Sequence, residues 1–196
     1  MPLKICCIID DDPIWSLPVW IATLPKLISY GYEVNKIWLL PPKLGKLKGS
    51  DIYLWYLQNL GIICFIKLAF YSLARKFSII CSSLKLQNYP RNFRQLALFN
   101  SIQIKKIHSL KDEHFLREFN NSNIDIMVIM TSHIIPKSIL NKPSLGTINK
   151  HASNLPNNKG MFPFIWASLN DNDQALSFHL VNENIDEGDL IFQEIF

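Results

Sequence analysis

The sequence predicts an α/β fold on a mostly parallel sheet, and three features predict it. Short apolar runs alternate with stretches of helical spacing. The first strand, helix and strand follow in the order of a parallel βαβ unit. Ile124 to Met130 (IDIMVIM) is nearly all apolar and rich in β-branched residues, the pattern of a central strand covered on both faces. With 196 residues, 48% hydrophobic and 18% charged, the chain is expected to form one domain over residues 1–196.

Leu3 to Ile9 (LKICCII) reads as a buried first strand ending in Asp10-Asp11-Asp12. Trp15 to Tyr30 repeats apolar residues at helical spacing, with Gly31 suited to the C-cap, and Val34 to Leu40 is the second strand. Pro41 to Ser50 (PPKLGKLKGS) reads as a basic loop. Asp51 to Phe77 reads as an apolar helix, expected to be buried or at an interface; Gln58, Asn59, Lys67, Arg75 and Lys76 interrupt the roughly 20 apolar residues a membrane span needs. A helix lying on a membrane surface, with Trp55, Phe65, Phe70 and Tyr71 inserted, is the weaker alternative for residues 51–77. Asn92 to Asn100 and Leu110 to Phe119 read as helices, the second with Asp112 and Glu113 in its first turn, and Ile102 to Ile107 reads as a strand. Pro136 opens a short helix. Gly146 to Lys150, Leu176 to Val181 and Leu190 to Ile195 are strands, with a helical turn or two at Phe164 to Leu169.

The seven glycines form neither G-x-G-x-x-G nor G-x-x-x-x-G-K-[ST], which argues against a dinucleotide oxidoreductase or a P-loop kinase. There is no G-x-S-x-G elbow, no H-E-x-x-H and no zinc-finger or RNP pattern. Cys6, Cys7, Cys64 and Cys81 form no C-x-x-C pair, so no metal site is expected, and four reduced thiols suit a cytoplasmic protein. The first hundred residues carry twelve Lys/Arg against five Asp/Glu, a surplus able to attract phosphates or an anionic membrane. A solvated face of scattered charge is the plainer explanation.

The informative segment begins at Gly146-Thr147-Ile148-Asn149-Lys150-His151. Side chains alternate along a strand, so Asn149 and His151 share one side. An amide donor and a titratable imidazole then enter one crevice at the carboxyl end of a parallel strand, where open α/β sheets bind ligands. Farther on, Gly188 permits a tight turn that would present Asp186 inward. His108, His114, His133 and His179 have no partner evident in the sequence.

The full spacing resembles the folate-dependent formyltransferases. Their pattern is an apolar strand, a short Pro-opened helix, G-x-x-N-x-H-x-S-x-L-P, then G, P-x-x-W-A and D-x-G-x-[IL]. Here it falls on Met127 to Met130, Pro136, Gly146, Asn149, His151, Ser153, Leu155, Pro156, Gly160, Pro163, Trp166, Ala167, Asp186, Gly188 and Leu190. The likeness is close over residues 120–192 and looser before them. It implies a three-layer, Rossmann-like formyltransferase fold with a mostly parallel central sheet. The family continues through at least one more helix, whereas this sequence stops seven residues past Asp189. A truncated or unusually short member, with apolar sheet surface uncovered, is therefore expected.

The resemblance makes Asn149, His151 and Asp186 the catalytic trio and 10-formyltetrahydrofolate the formyl donor, with no metal. It places the carrier beside Leu155, Pro156 and Gly160 and beside Val181, Asn182 and Ile185. The Asp10-Asp11-Asp12-Pro13-Ile14 stretch stands where the glycinamide ribonucleotide members have a Gly-rich phosphate turn. The turn and the C-terminal β-domain of the methionyl-tRNA members are not evident either. By elimination the acceptor is an amino sugar on a nucleotide carrier, with no nucleic acid expected. The alternatives are a hydrolase releasing formate from the carrier, and a non-catalytic or membrane-peripheral protein that keeps the fold.

Overall fold

The computed structural model describes residues 1–13, 16–85 and 89–196. Ile14, and Trp15 at the expected start of the first helix, lie outside the described residues. In chain order the elements are β1 (Lys4–Asp10), α1 (Ser16–Ser29), β2 (Glu33–Leu40), β3 (Lys43–Leu44), β4 (Leu47–Lys48), α2 (Ser50–Lys85), α3 (Phe93–Phe99), β5 (Gln103–Lys106), α4 (Glu113–Asn120), β6 (Ile126–Met130), α5 (Lys137–Leu140), β7 (Gly146–His151), α6 (Pro163–Leu169), β8 (Ala175–Leu180) and β9 (Leu190–Ile195).

Seven strands form one sheet in the order β5-β2-β1-β6-β7-β8-β9. The first five are parallel, while β8 and β9 run antiparallel to their neighbours. Alternation along β1 builds both sides of the core. Cys6 and Ile8 join Trp38, Phe115, Phe119, Met127 and Ile139 under α4 and α5. Ile5, Cys7 and Ile9 join Leu17, Trp20, Leu24, Phe93 and Leu96 under α1 and α3. The result is three layers with β1 and β6 central, and β6 is covered on both faces.

Local chemistry sets the helix ends. Asn92 caps α3 by accepting from Gln95 N–H, and Asp112 caps α4 by accepting from Phe115 N–H. On α4, Phe115 and Phe119 are one turn apart and meet Trp38 edge-on, with ring centroids at 5.4 and 5.3 Å.

Two expectations are corrected. The basic segment 41–50 is not all loop, because Lys43 to Lys48 closes into the antiparallel hairpin β3–β4. The apolar helix is neither ended at residue 77 nor buried. α2 runs to Lys85, kinks at Gly61 (φ 74°), and is apolar and long enough by length and composition to cross a membrane, yet no part of that apolar window is buried. Apolar spacing reports which face of a helix is oily and not whether the domain covers it. Apolar side chains also stand exposed on β9, at Leu190, Ile191, Phe192 and Ile195.

The contrast between these surfaces is measurable by urea unfolding. Phe119→Ala, which empties a fully buried site among aromatic neighbours, is expected to cost about 3–5 kcal/mol. Phe70→Ala on the exposed face of α2 is expected to change stability by less than about 0.5 kcal/mol.

Candidate active site

The site grows from the switch between parallel and antiparallel pairing. β7 receives β6 on one side and β8 on the other, and in the second register Asn149 faces His179 while His151 faces Ser177. Residues opposite one another across two strands point to the same face, so this pairing sets Asn149, His151, Ser177 and His179 together at the carboxyl end of β7. All but Asn149 are buried.

The chain after β8 then folds back over this patch. Leu180 N–H donates to Asp189 O at 2.8 Å, pressing the connecting loop against β8. Gly188 is required there, though not for a left-handed turn. A Cβ at this position would lie 1.6 Å from the Leu180 carbonyl oxygen. Asp186 is the residue that takes the left-handed conformation (φ 52°), which aspartate tolerates better than most side chains.

That turn delivers the Asp186 carboxylate into a ring of donors. Its Oδ2 accepts the Gly160 N–H at 2.8 Å and lies 3.4 Å from His151 Nδ1. Its Oδ1 accepts from the Asn149 amide at 3.4 Å and lies 3.4 Å from His179 Nε2. Burial pushes the carboxyl up, but the hydrogen bonds from His179 and Gly160, with the charges of His151 and His179, outweigh it and hold Asp186 below the usual carboxylate range. His179 moves the other way. Its hydrogen bond to Asp186 raises the imidazole above its ordinary value despite burial, and its bond to the Leu180 carbonyl adds to the effect. A carbonyl only accepts, so His179 Nδ1, 2.8 Å from Leu180 O, carries a proton; Nε2 faces a carboxylate best when it is protonated too.

His151 has the same environment turned round. Its Nε2 donates to the Asn158 carbonyl at 3.0 Å while Nδ1 faces Asp186. Asn158 sits in the left-handed region (φ 54°), and its own amide nitrogen is buried with no partner among the described residues. Behind the loop, Ser177 Oγ donates to Ser153 O at 2.6 Å, and Gln193 Nε2 donates to Leu155 O at 3.1 Å and to Ser177 Oγ at 2.9 Å. These bonds fix residues 153–158 against β8 and β9. In front lies an open cleft of about 450 Å³, lined by Leu155, Pro156, Lys159, Asp186, Glu187, Gly188 and Leu190.

The expected trio therefore meets at one point. Of the residues expected beside a carrier, Leu155 and Pro156 line the cleft and Gly160 holds Asp186. The other three stand on the loop that leads from β8 to Asp186. Val181 spends its N–H on Thr147 O and packs on the core under α4, Asn182 accepts from Asn184 N–H, and Ile185 is exposed; none of them lines the cleft. The expectation that His133 and His179 lack partners is also corrected. His133 Nε2 bonds to the Pro41 carbonyl, and His179 stands within the site itself. The signal for His179 was the alternation in Ala175-Leu-Ser177-Phe-His179, readable only once β8 is known to pair with β7. Among the described residues no group of three or more His, Cys, Asp or Glu stands close enough to hold a metal.

The first acid stretch is also engaged. Asp10 accepts from Thr131 Oγ1 and from Ser132 N and Oγ, tying the end of β1 to the loop after β6, while Asp11 pairs with Lys106 at 2.6 Å.

Two measurements probe this geometry. Gly188→Ala is expected to displace Asp186 and lower the midpoint of thermal unfolding, whereas Gly31→Ala, with open space around it, distorts only its own turn. The stability that His179 contributes is complete below 6.5 and is lost as pH rises through its raised native value. That from Asp186 is complete above 3.8 and is lost as pH falls through its lowered native value. The urea stability difference between the native protein and His179→Asn is thus expected to peak between pH 3.8 and 6.5 and to shrink on either side.

Comparisons with known proteins agree with this arrangement. A sequence profile described as formyl transferase matches residues 74–196, more than half of the chain. A methionyl-tRNA formyltransferase of Azobacteroides pseudotrichonymphae is 35% identical over 113 residues, covering 56% of this chain and 35% of that protein. One from Pseudoalteromonas translucida is 36% identical over 102 residues, covering 50% of this chain and 31% of that protein. The aligned part thus spans about a third of the length of the curated relatives. In fold, the chain is similar to a formyltetrahydrofolate deformylase of Pseudomonas syringae (TM-score 0.62, 14% identity, 100% of this chain and 51% of that one). It is also similar to a glycinamide ribonucleotide transformylase of Geobacillus kaustophilus (TM-score 0.60, 12% identity, 100% and 82%). A sugar N-formyltransferase of a Shewanella species shares the fold as well (TM-score 0.53, 17% identity, 99% and 57%). With its seven-stranded three-layer sheet and a matched stretch that holds Asn149, His151 and Asp186, this chain belongs to the formyl transferase family.

Proposed function

We propose that this site transfers a formyl group from 10-formyltetrahydrofolate to a substrate amine, with Asn149, His151 and Asp186 carrying the reaction. The observation behind it is the convergence of an amide donor and an imidazole on one buried carboxylate beside an open cleft. The carrier supplies an N-formyl carbonyl, and Leu155 and Pro156 offer an apolar wall for it.

The chemistry follows from the charges that must move. As the amine lone pair forms the new C–N bond, negative charge builds on the formyl oxygen, and the Asn149 amide is a preorganised donor for it. With Nδ1–H held by Asp186, His151 acts through Nε2, which must leave the Asn158 carbonyl to take the proton that the attacking amine sheds and return it to the carrier nitrogen as the old C–N bond breaks. Asp186 orients His151 through Nδ1 and balances its charge while protonated. The products are a formamide and the free carrier amine, with no covalent enzyme intermediate. The four unpaired cysteines favour a reducing, cytoplasmic setting.

For the acceptor we favour an amino sugar on a nucleotide carrier, because acids occupy residues 10–12 where a phosphate-binding turn would sit. The second reading is a methionyl-tRNA acceptor, favoured by the 35% identity to enzymes of that name. Incubation with 10-formyltetrahydrofolate and each acceptor, following free tetrahydrofolate, separates the two, and turnover with no acceptor identifies a hydrolase. Asn149→Ala, His151→Ala and Asp186→Asn are each expected to lower kcat at least about 100-fold. Losses under about tenfold in all three folded variants would contradict the assignment.

A further inference from the structure

Past the kink at Gly61, α2 presents two faces that are the wrong way round for a helix covering a soluble domain. Ile62, Ile66, Phe70, Leu73, Phe77 and Leu84 recur at spacings of a single face, and all are exposed, Phe70 at 73% and Phe77 at 67%. The opposite line includes Ser72, Arg75 and Ser82 together with Phe65, Leu68 and Ile79, and these are the half-buried or buried positions. The helix thus turns its serines and an arginine toward the protein and its most apolar stripe outward. A stripe of this size on one face marks a surface made for an apolar partner.

Charge identifies that partner. Past Asp51, α2 carries Lys67, Arg75, Lys76 and Lys85 and no Asp or Glu. Exposed Lys67 and Lys76 flank the apolar stripe on either side. In a seam between two copies these lysines would meet with no acid past Asp51 on the helix to pair with them. Phosphate headgroups of an anionic bilayer would pair with them as the stripe enters the acyl boundary. The geometry points to α2 as a membrane-docking helix that lies in the plane of an anionic lipid surface. It lies in that plane and does not cross it, because both of its ends rest on the domain. Trp55 stacks on Phe162 with ring centroids 5.5 Å apart, and Ile79 is buried near the other end. The family match begins at residue 74, so most of α2 precedes it. The inference is independent of the acceptor and of catalysis.

The test is flotation of the full chain through a density gradient with vesicles, which rise while aggregates sink. The protein is expected to float with vesicles of phosphatidylcholine and phosphatidylglycerol and markedly less with phosphatidylcholine alone. Phe70→Ser/Phe77→Ser and Lys67→Glu/Lys76→Glu, both altering exposed positions, are each expected to lower the floated fraction about tenfold or more while keeping the native circular dichroism and melting curve. Three results would overturn the proposal. The native protein stays at the bottom with both vesicle types, or the Phe variant floats as well as the native protein. The third is a lipid-free dimer that the Phe variant dissolves, without flotation, which would mark the stripe as an interface between copies.

Discussion

The Asp186 carboxylate is the constraint around which the site is organised. A buried negative charge is tolerated only when several donors face it, and here the donors come from three separate parts of the chain. The Gly160 N–H comes from the loop after β7, Asn149 and His151 from β7, and His179 from the antiparallel neighbour β8. Remove the charge and two imidazoles lose the group they face, while the Gly160 N–H loses its acceptor. The requirement runs backward into the backbone as well. Asp186 reaches the ring only through a left-handed turn, and that turn closes only because Gly188 has no side chain to strike the Leu180 carbonyl.

The sheet makes this convergence possible by changing direction at β7. Five parallel strands bring their carboxyl ends to one edge, and β8 then returns antiparallel so that its alternation interleaves with that of β7. Parallel pairing alone would bring His179 from the far end of its strand. The polar layer of Ser153, Ser177 and Gln193 performs a second task, holding the Leu155–Pro156 loop as one wall of the cleft. Asn158 links the two, since its carbonyl holds His151 while its amide nitrogen stays unengaged.

Much of this was legible in the sequence where the physics is local. The apolar run at 124–130 reads as a central strand and is one, and helices stand near 92–100 and 110–119 as expected, although the second begins only at Glu113, with Asp112 as its cap and not inside its first turn. The alternation that places Asn149 and His151 on one face follows from strand geometry alone. His179 was not legible, because its partner is set by which strand lies alongside β8, and nothing within Ala175 to Leu180 encodes that register. The bond from Val181 N–H to Thr147 O depends on the same strand register. For α2 the apolar spacing was plain, while its exposure depended on an arrangement of neighbours that spacing does not report.

A pH titration of the histidine side chains by nitrogen-15 NMR, comparing the native protein with Asp186→Asn, tests the central role of this carboxylate most directly. The account predicts that His179 titrates above 6.5 in the native protein, with Nδ1 and Nε2 both protonated below its midpoint, and that Asp186→Asn lowers that midpoint. A midpoint that is the same in both proteins would show that His179 does not sense Asp186, and would contradict the organisation described.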